Sequence, residues 1–204
     1  MTDKIDYKKN LNPLYTASKD PTFVEVPNLN FLMIDGQGDP NVSPEYKEAV
    51  SALYSLAYAL KFHIKKSLGI DYGVMPLEGL WWVEDMSTFS IEAKGLWQWT
   101  MMILQPEWIG ADIAARLQEE TYHKKKLQAL KKVRFESYTE GTAFQLMHNG
   151  PFAEEGPNMA RMHAYAHEKG FQPVGKHHEI YLGDYTRTAP EKLKTILRQP
   201  VMKI

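Results

Sequence analysis

Apolar residues recur along this chain in two rhythms, and the switches between them predict its elements. From Phe23 to Ile34 the apolar positions are beta-prone, and the run ends at the breaker Asp35-Gly36-Gln37-Gly38-Asp39-Pro40, which reads as a strand and then a loop. Ser43-Pro44-Glu45 is a helix start, with a capping hydroxyl, a proline in the first turn and an early acid. Val50, Leu53, Ala57, Leu60, Ile64 and Leu68 then follow at helical spacing, and Gly69 supplies the stop. Val74 to Glu84 and Gly95 to Gln105 read as two strands around a polar turn near Asp85-Met86-Ser87-Thr88.

The same order returns downstream. Thr142 to His148 reads as a strand, Gly150-Pro151 as the break, and Glu154 to Lys169 as a helix with Met159, Met162 and Ala166 on one face, stopped by Gly170. His177 to Leu182 and Lys194 to Val201 are the closing strands, joined by the loop Asp184-Tyr185-Thr186-Arg187-Thr188-Ala189-Pro190. Between the halves, Pro106 to Leu130 carries an amphipathic helix with Ile109, Ile113 and Leu117 inward. The pattern predicts an α+β fold of duplicated βαββ units with pseudo-two-fold symmetry. One domain would span 1–204, with a first repeat over about 21–106, a connector over about 107–131 and a second repeat over about 132–204.

Composition narrows the function. The chain has 204 residues, 44% of them hydrophobic, enough to close a sizeable core. Its net charge of -1 leaves no global field to gather phosphate backbones or anionic lipid, so direct nucleic-acid and membrane binding are not expected. There is no cysteine, hence no disulfide or thiolate chemistry. The Met1-Thr2-Asp3-Lys4 start carries no apolar signal core, and a cytoplasmic location is expected. The basic run His123-Lys124-Lys125-Lys126 follows Glu119-Glu120 and reads as the solvated end of a helix.

Two lone carboxylates stand inside apolar, aromatic runs: Glu78 in Pro76-Leu77-Glu78-Gly79-Leu80-Trp81-Trp82 and Glu179 in His177-His178-Glu179-Ile180-Tyr181-Leu182. They occupy the same place in each repeat, 179 − 78 = 101 positions apart. A carboxylate held against rings costs free energy unless something binds it or it does chemistry. The expectation is that the helix-covered sheet faces form the core and the other faces form a groove into which both acids look. The plain alternative for each acid is a salt bridge or a hydrogen bond to a neighbouring strand. Alternation leaves open which face of Trp97-Gln98-Trp99 would join the groove.

Beyond these acids, several stretches carry a resemblance: Gln105-Pro106-Glu107-Trp108, Arg134-Phe135-Glu136-Ser137, His148-Asn149-Gly150-Pro151-Phe152, Arg187-Thr188-Ala189-Pro190-Glu191-Lys192-Leu193-Lys194 and Arg198-Gln199-Pro200-Val201. With the two acid-bearing runs, they make the chain resemble, nearly end to end, the stand-alone members of the GyrI-like small-molecule-binding family. That family is related to the ligand-binding halves of multidrug-sensing regulators. The resemblance implies the duplicated βαββ fold around a ligand groove. Some members resemble hydrolases that open the strained cyclopropane of spiro-cyclopropyl cyclohexadienone DNA alkylators, while others bind ligands or inhibit gyrase. Two departures stand out: Phe152 where tyrosine is expected after Gly-Pro, and Tyr185 where proline is expected after Asp184.

The activity implied is a detoxifying hydrolysis in which water attacks the cyclopropane carbon and charge flows to the carbonyl oxygen. Glu179 and Glu78 are the candidate catalytic carboxylates, with the assignment of base and acid open between them. Trp82, Trp97, Tyr181 and Phe152 are the candidate rings for a hydrophobic aromatic ligand, although for any one of them taken alone core filling is the better reading. A non-catalytic drug-sequestering protein is the competing reading, and a gyrase contact stays open. No metal or cofactor is expected. His163 and His167 stand four apart on a helix without a third ligand, His177 and His178 point to opposite strand faces, and Gly36-Gln37-Gly38 is not a nucleotide fingerprint.

Overall fold

The computed structural model describes residues 4–89 and 93–204; the Met1-Thr2-Asp3 start considered above for localisation lies outside them. In chain order the elements are α1 (Tyr7–Asn10), β1 (Thr22–Gln37), α2 (Pro44–Leu68), β2 (Leu77–Trp82), β3 (Gln98–Gln105), α3 (Ala111–Lys125), β4 (Arg134–Asn149), α4 (Gly156–Glu168), β5 (Phe171–Pro173), β6 (His177–Tyr181) and β7 (Lys194–Lys203). Strand, helix, strand, strand therefore occurs twice, with the short β5 inserted after α4 in the second unit and α3 as connector.

The long helix forms where its caps and stripe require it. Ser43 Oγ accepts from the Tyr46 backbone N–H at 3.3 Å, Pro44 opens the first turn, and Gly69 takes the left-handed conformation (φ 71°) that ends the helix. Its inner face, including Ala49, Leu53, Leu56, Leu60 and Ile64, is fully buried. In the connector, Ile109 and Leu117 are buried and Ile113 packs against the core.

All strand contacts are antiparallel and run in the order β4-β1-β3-β2-β6-β7-β5, with β4 also pairing β7. Six strands thus close on themselves, which removes all but the short β5 edge. The repeats meet along β2 with β6 and along β1 with β4. Helix α2 packs on β1 and β3, and α4 packs on β4 and β7 over a second, smaller core around Phe144, Leu146, Met162 and Leu197.

One strand differs from the pattern expected of it. Strand β4 begins at Arg134, eight residues before the expected Thr142, because Arg134 to Gly141 pairs with β1 through its backbone and through polar rungs. Ser137 Oγ donates to Asn30 Oδ1 at 2.6 Å and Thr139 Oγ1 to Asn28 Oδ1 at 3.0 Å. Such rungs stabilise a sheet without the apolar alternation by which a strand is read. The residues before β1 are held against the sheet: Leu14 and Tyr15 are buried, and the carbonyls of Pro13 and Thr16 accept from Gln145 Nε2 at 3.0 and 2.8 Å.

Candidate functional site

Strand register decides which side chains share a face. Between β2 and β6, Leu77 stands opposite Tyr181, Gly79 opposite Glu179 and Trp81 opposite His177, so these six share one face. Glu78 opposite Ile180 and Leu80 opposite His178 belong to the other. The cross-strand neighbour of Glu179 is therefore Gly79. Glu78 is one residue away, and a step of one residue in a strand changes the face. The expectation that Glu78 and Glu179 look into one groove is overturned by this register. So is the expectation that the groove lies on the helix-free faces.

On the Glu179 face, the first turns of α2 and α4 come down over the sheet and enclose a cavity of about 160 Å³. Tyr46 reaches in from α2, and Glu155 and Met159 from the start of α4. One wall is a cluster of rings: Trp81 stacks on Tyr46 at a centroid distance of 6.1 Å and meets Trp97 edge-on at 5.4 Å, and Phe89 stacks on Trp97 at 4.8 Å. The other wall is Phe152, Tyr181 and Tyr185, with Phe152 5.5 Å from Tyr181 and 6.0 Å from Tyr185. Lys94 lines the rim with its ammonium 5.4 Å from the Trp97 ring.

The floor depends on a missing side chain. A Cβ at Gly79 would lie 2.7 Å from Trp81 Nε1 and 3.1 Å from the Tyr181 hydroxyl, so only glycine lets the two rings close over β2. Closed in this way, Trp81 Nε1 donates to the Tyr181 hydroxyl at 3.1 Å, and that hydroxyl donates to Glu179 Oε2 at 2.7 Å. The Glu179 carboxylate is thereby held in one orientation. Burial, then the Glu179 charge, pushes the Tyr181 hydroxyl well above the usual phenol range, so it remains a donor.

Glu155 is the second acid of the cavity. It is 4% exposed, and burial, then the charge of Glu179, pushes its carboxyl well above the usual carboxylate range. Two acids whose environments differ in this way can divide the roles of proton donor and proton acceptor. His177 stands behind them: its Nε2 lies 3.5 Å from Glu179 Oε1, its ring is buried, and neither ring nitrogen has a hydrogen-bond partner among the described residues.

Glu78 lies in a buried ionic network on the opposite face. Its Oε1 accepts from the Tyr15 hydroxyl at 2.5 Å and its Oε2 lies 3.0 Å from His178 Nε2. His178 Nδ1 is 2.9 Å from Glu140 Oε1, and Glu140 Oε2 accepts from Arg198 Nη1 at 3.1 Å. Arg198 continues to Gln145 Oε1 at 3.0 Å and to the Leu14 carbonyl at 2.6 Å. Burial lowers the His178 imidazolium, but Glu140 and the bonds to Glu140 and Glu78 outweigh it and push it up to about 8. For Glu140 burial acts upward, and His178 and Arg198 together draw it down to about 2. This is the salt-bridge alternative, realised at Glu78.

Of the residues expected from sequence, the cavity brings together Glu179, Trp97, Tyr181 and Phe152. It does not hold Glu78 or Trp82. Trp82 shares the Glu78 face and lies under the Lys176 ammonium, 3.4 Å from its ring centroid, while Trp81 occupies the cavity wall. Sequence reasoning did not find Glu155, Tyr46 or Trp81. A signal existed for Glu155, which takes the N-cap position of α4 that Ser43 takes in α2.

A closed antiparallel sheet whose two helices enclose a ring-walled, acid-bearing cavity defines a small-molecule-binding protein. The chain belongs to the GyrI-like family: the GyrI-like small molecule binding domain matches residues 19–202. Among solved structures, an uncharacterized conserved protein from Listeria innocua is 38% identical over 98% of this chain and 100% of its own, with a TM-score of 0.90. A protein from Listeria innocua described as a hydrolase is 37% identical over the same shares, with a TM-score of 0.88. The EcmrR C-terminal domain shares the fold at 12% identity, covering 91% of this chain and 98% of its own, with a TM-score of 0.56. No curated protein matches the chain significantly.

Proposed function

We propose that this protein is a cofactor-independent hydrolase, acting as a single GyrI-like domain, that opens the cyclopropane ring of electrophilic spiro-cyclopropyl cyclohexadienones. The observation that carries this reading is the pair Glu179 and Glu155 buried at one ring-walled cavity, and the relatives described as hydrolases support it. Glu179, oriented by Tyr181, takes a proton from water. The water oxygen bonds to the least hindered cyclopropane carbon as the C–C bond to the spiro centre breaks. That electron pair passes through the conjugated ring to the carbonyl oxygen, which takes the proton held by Glu155 and becomes the hydroxyl of the aromatised phenol. The rings hold the flat substrate, each pair contributing about 0.5–1.5 kcal/mol beyond area burial.

A second reading, sequestration of a hydrophobic ligand without turnover, uses the same acids and rings. Incubation with a dienone-cyclopropane chromophore separates them. Turnover at catalytic protein concentration, lost by at least about 100-fold in Glu179→Gln with ligand affinity retained, is the expected result. Stoichiometric protection alone would leave only sequestration, and a fully active Glu179→Gln would remove the assignment.

A further inference from the structure

Three histidines of this fold are enclosed, and two of them are held in the ordinary way. His148 Nε2 donates to the Pro151 carbonyl at 3.1 Å while its Nδ1 accepts from Asn158 at 2.9 Å, and His178 has a carboxylate at each nitrogen. His177 differs: its ring is 1% exposed, and neither nitrogen is hydrogen-bonded among the described residues. A buried polar group without a partner calls for a reason. The bond made by one ring nitrogen normally fixes which nitrogen carries the proton. In His177 nothing fixes it, so either nitrogen can hold the proton, and a half-turn about the Cβ–Cγ bond exchanges them.

This unbound ring separates two spaces. On one side its Nε2 lies 3.5 Å from Glu179 Oε1. On the other it lines a groove of about 510 Å³ between the loop after β2 and the start of α4. Ser87 and Ala160, exposed residues of that groove, place its mouth in solvent. Besides phenols, the titratable groups lining the cavity are Glu155, Glu179 and Lys94; the described residues of the groove add His163 alone to His177. His163 is set to receive. Gln199 Nε2 donates to the carbonyls of Val174 and Pro200, which turns Gln199 Oε1 toward His163 Nε2 at 3.4 Å. That oxygen only accepts, so His163 keeps its proton on Nε2 and presents Nδ1 as an acceptor. Burial, partly offset by Gln199, holds its imidazolium below the usual range, so a proton taken up there passes on readily to water.

We infer that His177 is a proton relay acting through Glu179, carrying the proton that Glu179 acquires out of the cavity to the groove where His163 stands. This rests on the hydrolase reading above and goes beyond it. In each turnover Glu179 gains a proton from the attacking water and Glu155 gives one to the phenol oxygen, so Glu179 has one to lose and Glu155 one to recover. The Glu179 carboxyl gives its proton to Nε2 of His177, and Nδ1 releases one toward His163 or groove water. A half-turn of the ring restores the starting tautomer. Glu155 recovers a proton from solvent, so one leaves and one enters.

The test compares single- and multiple-turnover rates on a dienone-cyclopropane chromophore in weak buffer. His177→Gln is expected to slow multiple turnover at least about ten-fold more than single turnover, and added imidazole at constant pH should bring it back to within about three-fold of native. A second measurement needs neither a variant nor turnover. In native protein carrying ¹⁵N-histidine, the His177 nitrogens should give the averaged resonances of two exchanging tautomers, beside the separated pair of a fixed His148. Equal loss in both rates, no loss in either, no rescue by imidazole, or one fixed tautomer at His177 would overturn the relay and leave the hydrolase reading in place. A native protein that does not turn the chromophore over would overturn both.

Discussion

Replacing Glu78 by glutamine leaves every wall of the ring-lined cavity in place and takes one of two carboxylates from a protonated, buried His178. Breaking a buried charge pair from one side costs about 3 kcal/mol or more. Glu78→Gln is therefore expected to lower the unfolding free energy from denaturant titration by that amount while ligand affinity stays within about two-fold of native. A loss of affinity with unchanged stability would contradict the placement of Glu78. Gly79→Ala should do the reverse in emphasis: its Cβ meets Trp81 Nε1 and the Tyr181 hydroxyl, so the floor that orients Glu179 must shift. Overpacking of this kind costs about 1–3 kcal/mol, and tryptophan fluorescence on ligand titration should show weaker binding. At this scale the sequence points to Glu179, Tyr181, Trp97 and Phe152 because aromatic runs around a lone acid are local patterns. It misassigns Glu78 and Trp82 because a strand residue's face follows from the partner strand's register, which no local pattern contains.

At the level of elements, α2 is the most legible part of the chain, since its cap, proline, apolar stripe and terminal glycine all lie within its own segment. Its cap is also testable. Ser43→Ala removes the acceptor for the Tyr46 N–H and is expected to cost about 1 kcal/mol, or about 2–4 °C in Tm for a chain of this size. Because Tyr46 stands in the same first turn and in the cavity wall, the same variant should also weaken ligand binding modestly in a calorimetric titration. Strand β4 is legible only in its second half, where Phe144 and Leu146 face a helix-covered core. Its first half is held by polar rungs from β1, so its own residues carry no apolar rhythm. The three residues of β5 are too few to show any period.

For the whole molecule, the buried network that ties the lead-in to the closed sheet makes stability depend on pH in a definite direction. His178 is raised in the fold from its ordinary 6.5 to about 8, so its contribution is fully present below pH about 6.5 and is lost as pH rises past about 8; at about 1.4 kcal/mol per unit this is about 2 kcal/mol. Glu140 is drawn down from its ordinary 4.5 to about 2, so its contribution is present above pH about 4.5 and is lost as pH falls toward 2. Glu155, held upward from its ordinary 4.5, contributes fully below pH about 4.5 and loses that contribution as pH rises above it, because the fold keeps its proton more firmly than the unfolded chain does. Thermal denaturation should therefore show the network's greatest stabilisation between about pH 4.5 and 6.5, with a decline toward pH 9 that His178→Gln makes shallower. A flat profile from pH 6 to 9 would contradict the protonated His178.

The order of strands and helices, their duplication and the presence of an acid among rings are written in local spacing, since caps, breakers and periods of two or 3.6 residues act over a few neighbours. Which acids share a cavity is not. The pairing of Gly79 with Glu179 brings together residues from opposite halves of the chain, and the arrival of α4 sets Glu155 beside Glu179. Side-chain direction in a strand reverses at each step, so a repeat read one residue out of register exchanges the inside of the site for its back, and only the closed sheet fixes that register.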